Sequence, residues 1–358
     1  MKKYFIPIVA IVLIACISCK KYNQYYKPPI QPPTTTKWVV STVAGNGTAS
    51  FVNGPVASAT FHFPTDVAVD KDGNIYVTDA LNFCIRKIVN GGVSNVAGGG
   101  NIGIIDGIGA SAQFKNPYSV AVDANGNLYT SDENDPRIRK ISPAREVAVY
   151  AGIETPGFRD GNANTAQFGL VNYIVADAEG DMYISDAINN RIRKISFTGQ
   201  VSTIAGGNRA GFTNGNGAAA QFSFPGGIAR DGQGNLYIAD RGNFCIRKIT
   251  PAGDVSTFAG SGIPGDDDGN ANVAQFSIDM YDIVVDGQGN LYIADDARIR
   301  KVTPQGIVST IAGSSLGFRD GDGTSAKFNF PNGLGIDAHG NIYVADLGNN
   351  RIRKISFE

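Results

Sequence analysis

The tripeptide Ile-Arg-Lys occurs six times, at 85–87, 138–140, 192–194, 246–248, 299–301 and 352–354. The intervals are 53, 54, 54, 53 and 53 residues. Two further markers keep the same period. Tyr76, Tyr129, Tyr183, Tyr237, Tyr292 and Tyr343 each sit in a segment of the type Gly-Asn-Leu-Tyr, and an Ala-Gly pair recurs at 44–45, 97–98, 151–152, 205–206, 259–260 and 312–313. A unit of this length cannot bury its apolar face alone, so the chain must pack its six copies against one another.

Each copy reads as four short strands. In the first they are "DVAVD" (66–70), "NIYVTD" (74–79), "CIRKIV" (84–89) and "VSNVAG" (93–98). Val, Ile and Tyr suit a pleated, packed backbone. Turns such as "DKDGN" and "DANGN" place glycine where a tight hairpin needs positive φ, which accounts for much of the high glycine count of 45 in 358 residues. Four-stranded units in this number suggest a β-propeller, with an open solenoid as the competing arrangement. The order of the markers favours the ring. The first fourth-strand segment, "WVVSTVAG", precedes the first copy, and the last copy ends at "RIRKISFE" without one. A strand moved from the end of the chain to its start can close a circle and remove a free sheet edge. The expected fold is all-β: a six-bladed propeller of four-stranded antiparallel blades, closed by residues 38–45 completing the last blade beside 351–357.

The segment "FPTDVAVDKDGNIYVTDALNFCIRKI" resembles the NHL repeat, with its Pro-x-x-(apolar)-Ala-x-Asp, Gly-Asn-(Ile/Leu)-Tyr-Val-(Ala/Thr)-Asp and Asn-x-x-Ile-Arg-Lys sections. The resemblance extends over residues 38–358. Copy three departs from it with Val171 in place of the proline, and copy five with Asp279 and a shortened approach to Ile299.

A ligand site does not need six identical copies, so residues found in every copy are read as scaffold. The second-strand aspartates (Asp79, Asp132, Asp186, Asp240, Asp295, Asp346) and the third-strand arginines (Arg86, Arg139, Arg193, Arg247, Arg300, Arg353) are expected to form bidentate ion pairs between strands or neighbouring blades. Turn residues such as Asp70 and Asp123 are expected to cap hairpins. The unrepeated positions carry the functional expectation. Entry to the first strand reads Thr65-Asp66, Tyr118-Ser119, Asn172-Tyr173, Gly226-Gly227, Tyr281-Asp282 and Asn332-Gly333. The loops after the second strand also vary, as in Ile188-Asn189-Asn190 and Arg241-Gly242-Asn243-Phe244. Both sets should share one face around the central channel. Asp66, Tyr118, Ser119, Asn172, Tyr173, Tyr281, Asp282 and Asn332 are therefore the candidate ligand-binding residues, suited to a protein, peptide or glycan.

Catalytic chemistry finds little support. Zinc lyases that resemble this fold gather several histidines, whereas His62 and His339 belong to opposite faces of the ring. The one Gly-x-Ser-x-Gly match, "GSSLG" at 313–317, follows a fourth-strand segment in a connecting stretch and lacks the strand-to-helix turn of a nucleophile elbow. Cys84 and Cys245 align with Arg137, Arg191, Arg298 and Arg351 of the other copies, and their own copies, one and four, lie across the ring from each other, too far apart for a bridge. The expectation is a non-catalytic recognition or scaffolding module without a cofactor. The alternative is a calcium-dependent, lactonase-like hydrolase holding the ion on Asp66, Asn172, Asp282 and Asn332, since hard oxygen donors suit calcium. A formal net charge of −1 with no basic stripe argues against nucleic acid.

Residues 1–19 read as a signal segment: Lys2 and Lys3, an apolar run of about ten residues too short to span a bilayer, then "LIACISC". This resembles a bacterial lipoprotein signal, with Cys16 or Cys19 as the lipid-modified residue. The Pro- and Thr-rich residues 20–37 would form an extended tether. The resemblance implies a lipid-anchored protein of the bacterial cell envelope, joined to the membrane through its N-terminus.

Overall fold

A computed structural model describes residues 36–207 and 209–358. The signal segment, Cys16, Cys19 and all but the end of the tether lie outside the described residues. Lys37–Glu358 forms the folded unit.

Six antiparallel sheets stand in a circle. In the first, the inner strand Pro64–Val69 pairs with Ile75–Asp79, then Cys84–Val89, then Gly92–Gly98. Every inner strand abuts the inner strands on either side, and the circle closes between Pro331–Ile336 and Pro64–Val69. Trp38–Ala44 lies antiparallel to the final strand Arg351–Phe357, with Trp38 opposite Phe357 and Val40 opposite Ile355. Lys37 and Glu358 exchange both main-chain hydrogen bonds, so closure reaches the last residue. Ala44, Ala345 and Ile352 of the closing blade share one core cluster with Phe61, Val67 and Val77 of the first. The ring thus buries apolar surface at this seam as it does between the other blades.

Each blade carries a fifth strand that the four-strand reading lacks. Two residues of the connecting loop, such as Gly54–Pro55, add to the outer edge opposite Gly92 and Val93. They cover a ladder that would otherwise face solvent. The glycine of the pair recurs in every copy (Gly54, Gly107, Gly161, Gly215, Gly269, Gly321), but two residues led by glycine have little strand propensity and read as loop.

The Ala-Gly marker has a steric origin. Gly98 adopts φ +75°, and a Cβ there would lie 2.4 Å from the Phe83 carbonyl oxygen and 2.7 Å from the Phe114 ring of the next blade. Only glycine supplies that backbone at so close an approach.

The repeated arginines are hubs. All six side chains are buried. Arg193 Nη1 meets Asp186 Oδ2 at 2.8 Å and the Gln167 carbonyl at 3.1 Å, while Nη2 reaches the Arg159 carbonyl at 3.0 Å. The Phe158 and Phe168 rings enclose the guanidinium at 4.9 and 5.0 Å. The equivalent pair forms in copies one, four, five and six at 2.6 to 2.9 Å. It joins strands and the connecting loop of one blade, not neighbouring blades, and a single arginine nitrogen makes it, so the expected bidentate geometry is absent. Copy two departs. Arg139 pairs with Asp106 of the loop, and Asp132 instead accepts the Lys115 and Asn116 amides. The turn aspartates cap as expected: Asp70 accepts the Asp72 and Asn74 amides and the Tyr76 hydroxyl.

Candidate functional site

The inner strands begin at the same end of the ring as the loops after the second strands, so the two variable sets do share a face. Side chains at the entry tie four of the blades to the next. Asp66 Oδ2 accepts the Val120 amide at 2.8 Å, Ser119 Oγ the Ile174 amide at 3.3 Å and Asp282 Oδ2 the Leu334 amide at 2.8 Å. Asn172 donates to the Pro225 carbonyl at 3.2 Å, one blade on. Glycine in the other copies makes the room: a Cβ at Gly333 would lie 2.2 Å from Asp66 Oδ1, and one at Gly227 2.7 Å from Asp282 Oδ1.

Tyr173 crosses the channel. Its hydroxyl donates to Asn332 Oδ1 at 2.8 Å, from the third blade to the sixth on the far side. Only 3% of its surface is exposed. Beneath it a cavity of about 160 Å3 runs from Asp66, Tyr173 and Asp282 down apolar walls to Val69, Val122 and Ala176. Burial pushes the Asp66 carboxyl up to about 7, against the Val120 and Val67 amides and Ser119, which favour its ionised form. Asp282 is raised well above the carboxylate range, first by burial and then by the Asp66 charge. Burial likewise raises the Tyr173 phenol.

Of the expected ligand residues, Asp66, Ser119, Asn172, Tyr173, Asp282 and Asn332 are thus buried inside the ring. Tyr118 and Tyr281 keep exposed surface at the mouth. Tyr118 packs edge-on against Tyr173 with ring centroids 5.5 Å apart, and the Tyr281 hydroxyl donates to Asp279 at 3.0 Å. The structure adds a residue that the candidate set lacks. The Arg241 guanidinium lies 4.7 Å above the Tyr281 ring and 5.6 Å from Phe224. The sequence signal was the Gly226-Gly227 pair, because a Cβ at Gly226 would lie 2.7 Å from Arg241 Cδ. Beside the mouth, a depression of about 770 Å3 separates the loops of the second and third blades, lined by Glu133, Pro136, Pro156, Leu170 and Ile188 among others.

Cys84 and Cys245 are free and buried; desolvation raises both thiols, which disfavours the reactive thiolate. Among the described residues no group of three or more His, Cys, Asp or Glu is placed to hold a metal ion.

The ring, its blade count and its plugged channel define a six-bladed β-propeller. NHL repeats are found in three of its blades: the NHL repeat model matches residues 61–88, 222–249 and 328–355, which are copies one, four and six. These are the copies that enter the inner strand through a Phe-Pro pair, with Phe63, Phe224 and Phe330 at positive φ. Human Teneurin-1 is 29% identical over 91% of this chain, which spans only 13% of that relative's length. A solved protein of unknown function from Bacteroides thetaiotaomicron superposes with a TM-score of 0.70 at 21% identity, covering 90% of this chain and 76% of the other. An auxiliary nutrient binding protein from the same organism gives 0.66 at 17% identity, covering 90% and 77%. These two likenesses concern the fold.

Proposed function

We propose that this propeller is a non-catalytic recognition module that takes a peptide, protein or glycan at the channel mouth and the loops around it. The single observation carrying this reading is the division of labour between side chains. The sixfold-repeated charges are buried in hubs, whereas the mouth gathers unrepeated Tyr118, Tyr281 and Arg241 around a closed floor. A shallow aromatic site with few polar groups binds and orients a ligand, and the channel beneath offers it no path. The likeness to a nutrient binding propeller agrees with this role. Cys16 or Cys19, once acylated, would hold the module at a bacterial envelope through the tether, which suits capture of an extracellular ligand.

A pull-down together with a glycan array tests the reading. Tyr118→Ala and Tyr281→Ala should each abolish one saturable interaction; ligand capture unaffected by both moves the site elsewhere. Tyr173 is unsuitable for this purpose, because it braces the ring.

The two channel carboxylates favour one second reading, a calcium-dependent hydrolase. Calcium takes six to eight oxygen ligands. Asp66, Asn172, Asp282 and Asn332 converge on the channel, but each already holds a main-chain group or Tyr173. As arranged they fit the ion poorly. A calcium titration decides: a stoichiometric heat in the wild type, absent in Asp66→Asn, would establish this reading over the first.

A further inference from the structure

We propose that the mouth reads a negative charge: Arg241 receives the carboxylate of a single uronic-acid residue at the end of an oligosaccharide. This rests on the recognition reading and adds the chemical class of the ligand.

Arg241 occurs in one copy alone; the equivalent positions hold Ala80, Glu133, Ala187, Asp296 and Leu347. Three contacts fix it. It stacks on Tyr281, its Nε donates to the Ile278 carbonyl at 3.2 Å, and Gly226 leaves space for its stem. Its charge is felt across the mouth, where it favours ionisation of both Tyr118 and Tyr281 against the burial that raises them. Among the described residues Nη1 and Nη2 have no hydrogen-bond partner, and no carboxylate forms an ion pair with the group. A stacked guanidinium with both terminal nitrogens free presents the fork that a carboxylate accepts in bidentate fashion.

The surroundings select among carboxylates. The partly exposed Tyr118 and Tyr281 rings offer apolar faces to a flat sugar ring, and their hydroxyls mark a polar edge. Glu133, bonded to Asn116, and Asp279, bonded to Tyr281, also face the mouth. They can accept sugar hydroxyls but repel a second anion. One carboxylate among hydroxyls fits this pattern; a run of acidic peptide side chains does not. Tyr173 closes the floor, so the site takes a chain end.

The test is calorimetric titration of the purified full chain with tetramers of galacturonate, glucuronate and mannuronate. The comparison ligands are the same tetramers with carboxyls reduced to alcohols, and triglutamate. The expected result is one acidic tetramer bound at one site per chain. Its reduced form and the Arg241→Gln variant should each bind at least about tenfold more weakly, with Arg241→Lys between. An unchanged urea midpoint for Arg241→Gln confirms that the fold is intact. The proposal is overturned if no acidic tetramer binds, if triglutamate alone binds, or if Arg241→Gln binds like the wild type. A reduced tetramer that binds as tightly as its acid, and is lost in Tyr118→Ala, would sink the charge reading while leaving recognition standing.

Discussion

Arg193 and Arg241 both stack on phenylalanine, one in a hub and one at the channel mouth. Arg193 is fully buried, meets carboxylates of Asp186 and Asp160 and bonds two loop carbonyls. Arg241 is partly exposed, bonds one carbonyl and meets no carboxylate. The first type recurs in every copy; the second occurs once. A buried guanidinium is costly unless most of its donors are satisfied, so a repeat that needs such a hub must repeat most of the acceptors too. A side chain free of that requirement keeps its donors for something outside the protein.

The comparison predicts where damage falls. Removing residues 37–45 strips the outer strand from the closing blade and exposes Arg353 with its core neighbours. The expected loss is about 5 kcal/mol or more of unfolding free energy, read by urea denaturation. A truncated chain as stable as the whole one would show that the seam contributes nothing to the ring. Arg193→Ala leaves Asp186 buried without its cation and should lose about 3–5 kcal/mol. Arg241→Ala should change stability by less than about 0.5 kcal/mol. Equal losses at the two sites would erase the distinction between hub and mouth.

Carboxyls divide in the same way. Asp240 is raised to about 6 by burial, yet Asn243, the Ser223 amide and Arg247 oppose that rise. Asp66, raised to about 7, faces Asp282 in the channel with hydrogen bonds and no cation. Its folded pKa lies above its usual 3.8, so the folded state holds the proton more tightly than the unfolded chain. Between pH 4 and 7 the contribution of this group therefore falls as pH rises, by up to about 4 kcal/mol. Asp66→Asn should flatten the decline in the urea midpoint between pH 5 and pH 8. An identical slope in the variant would remove the channel carboxyl as its cause.

The sequence makes the scaffold readable because each hub element is written in every copy. The Ile-Arg-Lys, Ala-Gly and Asp markers locate blades and seam, and their spacing alone requires six. The mouth is legible only as a set of differences. Variation at Tyr118 or Asn172 cannot say whether a side chain turns outward or ties the next blade. Tyr173 illustrates this: its role depends on Asn332, which sits 159 positions away in a blade that only ring closure brings opposite. Arg241 was partly announced by Gly226-Gly227, two glycines where the other copies carry at most one.

The smallest expected effect separates the hubs from one another. In copies three, five and six a loop aspartate (Asp160, Asp268 or Asp320) accepts arginine Nε and Nη2. It also accepts the amide and hydroxyl of a threonine on the outer strand, Thr203, Thr310 or Thr42. Copies one and four have Asn53 and Asn214 there. Each amide oxygen meets only Nη2, and Arg86 Nε and Arg247 Nε are buried without a partner. Copy four keeps the matching threonine, Thr257, opposite Arg247, whereas copy one has Asn95 opposite Arg86. Asn214→Asp should therefore recover both the Nε bond and the threonine bonds, whereas Asn53→Asp lacks the threonine and resembles copy two, where Asp106 meets Arg139 Nη2 and leaves Nε without a partner. Because this carboxylate position is partly exposed, the gain is about 0.5–1 kcal/mol for Asn214→Asp and less for Asn53→Asp. Urea midpoints of the two variants check the order. A gain at Asn53 that equals or exceeds the gain at Asn214 would mean that the threonine plays no part in completing a hub.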